Sequence, residues 1–143
     1  MKDKLFLDTN VMLDLLGERI PHYHSMAKVA SLADKGKVHM TASSLSYATV
    51  YYLLSKYEDP AKVKEKLRKF RVISEIPDLN SKVIEKGLSS GFSDFEDALQ
   101  YHSALQAECT ILLTRNGKDF KSSEIPVMTA EEYLIRFRQK SGR

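Results

Sequence analysis

Four aspartates stand where their type and spacing allow chemistry. Asp8 directly follows the apolar run Leu5-Phe6-Leu7, and Asp119 follows Thr110–Thr114 after a short polar loop. Asp94 and Asp97 lie in "SDFEDALQ" at the start of a helical pattern. Helical residues three apart share a face, so this pair can point the same way. Carboxylates brought together raise one another's pKa. A hard divalent cation relieves that cost, and oxygen ligands of this kind suit Mg²⁺ or Mn²⁺ rather than zinc. Each aspartate also has an ordinary reading. Asp8 and Asp119 are turn or cap residues, while Asp94 and Asp97 favour the positive end of a helix. Ser93 and Glu96 form a capping box, which makes Glu96 structural. Only the joint placement of the four aspartates points to a site.

Their placement depends on the elements between them. Leu5–Leu7 reads as a buried strand, Val11–Leu16 as a brief helix interrupted at Gly17, and Pro21 as the start of a longer helix ended by Gly36. Val38–Thr41 reads as a second strand. Ser43 or Ser44 caps a third helix running to about Tyr57, and Asp59-Pro60 opens a fourth. Val72-Ile73 is a candidate strand. Asp78–Gly87 reads as helical, Ser89–Gly91 as a loop, and Ser93–Glu108 as a sixth helix. Thr110–Thr114 and Val127-Met128 complete the strands, with a polar loop over 115–124 between them. Thr129 and Glu132 cap the last helix with a capping box. Short apolar strands alternating with helices predict a three-layer α/β/α, Rossmann-like domain with a mainly parallel central sheet. Ligands of such sheets bind beyond the carboxyl ends of the strands, where Asp8 and Asp119 fall.

Composition sets the outer limits. The chain has 143 residues, of which 43% are hydrophobic, enough for one domain over 1–143 with a substantial core. No stretch approaches the roughly 20 apolar residues of a membrane span. The lone Cys109 excludes an intrachain disulfide, and its apolar context makes it buried and inert. With no signal-peptide pattern, a cytoplasmic location is expected. The net charge of +3 is too small to argue for a nucleic-acid partner by itself. His22 and His24 are two apart near a helix start, so they point in different directions and make poor ligands.

Three segments together resemble a known family. "FLDTNVMLDLL", "SDFEDALQYHSAL" and "ILLTRNGKDF" are similar to the hallmark segments of PIN domains, in the right order and over nearly the whole chain. The likeness is greatest to the bacterial branch that includes VapC-type toxins. The resemblance implies a Mg²⁺- or Mn²⁺-dependent ribonuclease that cleaves RNA phosphodiester bonds. It also implies a homodimer and a small antitoxin covering the site. Carried over by position, Asp8, Asp97 and Asp119 are the catalytic acids, with Asp94 as an additional metal ligand. Asn10, Thr114, Arg115 and Asn116 are supporting or phosphate-contacting residues. One position departs. Many family members place a Glu on the third helix, where "SSLSYATVYYLL" has Thr49, and a lost charge weakens metal affinity.

Other features leave two readings open. Lys62, Lys64, Lys66, Arg68, Lys69 and Arg71 spread round a helix, either as a solvated surface or as an RNA-steering patch. Arg115 and Lys118 are phosphate contacts or solvated loop cations. Tyr47, Tyr51 and Tyr52 serve core or dimer packing, or base stacking. Arg136, Arg138, Lys140 and Arg143 read as a basic tail. A non-catalytic PIN domain that binds RNA or protein is the rival function, favoured by Thr49. An aspartyl phosphatase wants a second acid two residues after the first, where this chain has Asn10. No glycine-rich phosphate loop is present.

Overall fold

The computed structural model describes residues 2–141. Four strands form one sheet among the described residues: β1 (Lys4–Leu7), β2 (His39–Thr41), β3 (Ile111–Leu113) and β4 (Val127–Met128), in the order β2-β1-β3-β4. All pairings are parallel, with Leu5 opposite both Met40 and Ile111, and Leu112 opposite Val127. The strands are short apolar runs because both faces of the sheet are covered. Leu5, Leu7, Ile111 and Leu113 point into one core, against Val11, Val29, Val50, Phe70 and Tyr133. Phe6 and Leu112 point into the other, against Tyr101, Ala104 and Phe120.

The helices are α1 (Thr9–Leu16), α2 (Tyr23–Asp34), α3 (Ser44–Leu54), α4 (Pro60–Val72), α5 (Ser81–Ser89), α6 (Phe95–Gln106) and α7 (Ala130–Ser141), with a 3₁₀ turn at Gly117–Phe120. Side-chain caps start most of them. Ser43 accepts from Ser46 N–H, Asp59 from Ala61 N–H and Asn80 from Val83 N–H. Thr129 and Glu132 form the expected reciprocal capping box, at 2.9 and 3.1 Å. None of the described helices is long and apolar enough to cross a membrane.

Several boundaries differ from expectation. Val72-Ile73 is not a strand. The helical repeat that buries Val63 and Phe70 carries α4 through Val72, which is 84% exposed. The extended contact there is a single bridge between Thr41 and Glu75. The helix assigned to Pro21 begins at Tyr23, and α3 ends at Leu54 rather than near Tyr57. Ser89, placed in a loop, closes α5. Arg136, Arg138 and Lys140 lie in α7 rather than in a frayed tail, and Arg143 lies outside the described residues.

Gly17 ends α1 where α1 meets α3. A Cβ there would lie 2.9 Å from the Leu13 carbonyl oxygen and 3.0 Å from Leu54 Cδ2. Gly17→Val is therefore expected to wedge α1 from α3 and cost about 1–3 kcal/mol, as overpacking does. Urea unfolding that matches the unsubstituted chain would show the contact to be compliant.

Candidate active site

Strand order reverses between β1 and β3, so their carboxyl ends flank the topological switch point of the sheet. Asp8 sits there, the first residue beyond β1 and the N-cap of α1. Its backbone N–H donates to the Leu113 carbonyl at 3.0 Å. One carboxylate oxygen accepts from Thr9 N–H at 2.9 Å, and the other from the Thr114 hydroxyl at 2.8 Å. Thr114 in turn accepts from Asn116 N–H at 3.0 Å, which ties the loop after β3 to Asp8.

An open cleft of about 300 Å³ lies over this point, lined by Asp8, Thr9, Asn10, Thr49, Leu53, Asp94, Glu96, Asp97, Asn116 and Asp119. The four expected aspartates thus surround one space, joined by Asn10, Asn116 and Thr49. Thr114 supports Asp8 from below. Arg115 does not line the cleft. Its guanidinium grips Asp14 through Nε at 2.7 Å and Nη2 at 3.2 Å, and Arg19 approaches the same carboxylate at 3.6 Å. Asp14 is only 1% exposed, so this pair is structural before it is anything else.

Electrostatics follow from the geometry. Burial pushes the Asp8 carboxyl above its usual range, against the opposing pull of its two hydrogen bonds. Asp97 is raised to about 6 by burial first, then by Asp94, Asp8, Asp119 and Glu96. Glu96 is raised by burial, Asp94 and Asp8, while the Thr9 hydroxyl favours its ionised form. Every lining charge is negative. The donor set is hard oxygen throughout, which fits a divalent cation of the Mg²⁺ or Mn²⁺ class. Among the described residues no three carboxylates stand close enough to form a ready-made cage, so a cation would have to draw them together.

The sign of the pH effect follows from this. A raised carboxyl contributes stability that is complete below its ordinary value of 3.8 and is lost as pH climbs through about 6. The metal-free protein is therefore expected to melt lower at pH 7.5 than at pH 4.5. Added Mn²⁺ should restore Tm at the higher pH only, and Asp97→Asn should flatten the profile. An unchanged Tm across the range would contradict this account.

Two features escaped sequence reasoning. The sequence predicts a capping box of Glu96 with Ser93, but α6 starts one residue later than that box requires. Asp94 is the cap, accepting from Asp97 N–H at 3.0 Å, and Glu96 is left facing the cleft. The signal was that Asp94 caps as well as Ser93 does. The second is a buried polar cluster. Gln100 donates to the Thr9 and Ser46 hydroxyls, each at 2.8 Å, and accepts from the Ser43 hydroxyl at 2.7 Å. The Thr9 and Ser46 hydroxyls share a further bond of 2.7 Å. This cluster locks the starts of α1 and α3 to α6, and all three helices line the cleft. Its four polar residues come from three distant segments of the chain, which give no local sign of it.

The basic and aromatic groups also resolve. Lys66 pairs with Glu58 at 2.7 Å and Arg68 with Glu65, so part of the basic helix is internally neutralised. Tyr47 packs on Phe70 and bonds Ser74, whereas Tyr52 is 64% exposed.

A PIN domain family model matches residues 4–118. The chain is 34% identical over 141 residues to Ribonuclease VapC1 of Aquifex aeolicus, covering 94% of this chain and 96% of that protein. Among solved structures it resembles VapBC2 from Rickettsia felis, bound to a DNA fragment from its promoter. That match has a TM-score of 0.63 at 21% identity, over 87% of this chain and 96% of that one. It also resembles VapC20 of Mycobacterium tuberculosis, described as a toxin that cleaves the sarcin-ricin loop. There the TM-score is 0.63 at 12% identity, over 82% and 94%. At these identities the two structures establish a shared fold.

Proposed function

The chain belongs to the PIN-domain family, and on that premise we propose that it is a metal-dependent endoribonuclease, the toxin of a toxin–antitoxin pair. The observation that carries the reading is the gathering of Asp8, Asp94, Asp97 and Asp119 round one cleft at the switch point. Asp8, Asp97 and Asp119 would hold Mg²⁺ or Mn²⁺, with Asp94 as a further ligand through the oxygen it does not spend on capping. A cation bound there supplies positive charge for the scissile phosphate and acidifies an attacking water. Thr9 N–H and Thr114 fix the orientation of Asp8, the outer-shell task that tunes such ligands. Asn10 and Asn116, which line the cleft, would donate to phosphate oxygens. Arg115 acts indirectly, through its hold on Asp14.

The likeness to VapC1 and to VapBC2 supports a cytoplasmic protein with a small antitoxin as partner. A homodimer and an RNA substrate complete the proposal. A second reading, a PIN domain that binds without cutting, is favoured by Thr49 at the wall of the cleft, a neutral side chain where the resemblance implies a Glu. Glu96 argues against it by returning a carboxylate to the same space. The test is cleavage of a mixed RNA pool by antitoxin-free protein with Mn²⁺, Mg²⁺ or EDTA. Cutting that EDTA stops supports the nuclease. Folded protein that cuts nothing supports the binding module, and Thr49→Glu is then the substitution to make.

A further inference from the structure

A second cavity of about 490 Å³ adjoins the acidic cleft, walled by Leu13, Leu53, Leu54 and Tyr57, with Arg19 and Glu58 at its polar side. Two features connect the spaces. Leu53 lines both. The buried Asp14 also joins them, gripping Arg115 at one end and Arg19 at the other. Arg115 lies near enough to the cleft for its charge to favour ionised Asp8, while Arg19 faces the second cavity. Resting on the nuclease reading, we propose that this cavity is a nucleotide subsite. It would take the base of an RNA residue flanking the scissile phosphate against Tyr57 and the leucines, with that residue's phosphate on Arg19.

The chemistry of the lining supports one occupant. Tyr57 is 87% exposed, a ring at the rim with most of its surface unburied. Exposed aromatic rings beside cations are how single-stranded RNA is held without sequence readout. The charge balance also favours a polyanion. Glu58 is neutralised by Lys66 at 2.7 Å, and the single charge of Asp14 faces two guanidiniums. The surroundings of the cavity are thus net positive, whereas the cleft beside it is wholly acidic. A strand crossing Leu53 would place one phosphate over the carboxylates and its neighbour beside Arg19.

The test uses the full chain with Mn²⁺ and a single-stranded oligoribonucleotide whose cut site has been mapped. Each position near the cut is made abasic in turn. One abasic position is expected to lower kcat/KM by about tenfold, within the range for loss of a base–aromatic stack. Tyr57→Ala should lower it equally on the intact strand and not further on that abasic strand. Arg19→Gln should make the dependence of log KM on log salt shallower by roughly 0.7, one phosphate contact on a single strand. A purely structural role for Arg19 would not move that slope. Unsubstituted protein that cuts RNA while Tyr57→Ala matches it overturns the subsite alone. Protein that cuts no RNA overturns the nuclease reading and the subsite with it. Self-association that buries Tyr57, seen as a concentration-dependent sedimentation shift abolished by Tyr57→Ala, overturns the subsite as well.

Discussion

Asp8→Asn should remove metal-dependent RNA cleavage by more than about a hundredfold, the upper end of what outer-shell partners of metal ligands cost when lost. The same substitution should leave the fold intact. Asn keeps an oxygen to accept from Thr9 N–H, and its amide can donate to Thr114, now the acceptor. It also removes a buried carboxyl whose ionised form burial already penalises. In EDTA at pH 7.5 the variant should therefore melt no lower than the unsubstituted chain. The stabilisation given by Mn²⁺ should shrink with it. Cleavage at the unsubstituted rate would remove Asp8 from the site, and a collapsed Tm would make its role structural.

Asp14→Ala should be a strongly destabilising single change, at about 2 kcal/mol, because it removes the buried carboxylate that takes two hydrogen bonds from the half-buried Arg115 guanidinium. Asp14 has no solvent to fall back on, and its two oxygens hold Arg115 and Arg19. Urea unfolding measures the loss. Replacing the pair together, Asp14→Leu with Arg115→Met, should recover much of the stability, as apolar replacement of buried ion pairs often does. Cleavage should not recover with it. Arg115 stands between Thr114, which bonds Asp8, and Asn116, which lines the cleft, and an apolar pair cannot fix that loop by directed bonds. Full recovery of both properties would make the pair a packing element only.

The fold was legible because its signals are local. Leu5–Leu7 and Thr110–Thr114 are short apolar runs buried on both faces, and Ser43, Asp59 and Thr129 cap as their types dictate. The four aspartates were legible for the same reason, each sitting just after a strand or at a helix start. Errors arose where two local rules competed. Val72-Ile73 has strand-type residues, yet the helical repeat of α4 buries Val63 and Phe70 and wins. Ser93 and Asp94 both make good caps, and the choice between them turned Glu96 from a cap into a lining residue. The tie of Arg115 to Asp14 and the Gln100 cluster were hidden altogether. The bonds of Arg115 and Gln100 join residues 54 to 101 positions apart, where spacing carries no information.

The central pairing of the sheet sets a time as well as a place. Leu5 lies opposite Ile111, and Asp8 bonds Thr114 across the same junction. Contacts of such long range form late, after most of the loop entropy has been spent. During synthesis β1 can meet β2 early, but its other edge waits for Ile111–Leu113. Asp119 arrives later still. A nascent chain on the ribosome therefore carries only part of its acidic cleft until β3 and Asp119 have emerged and paired with the first strand.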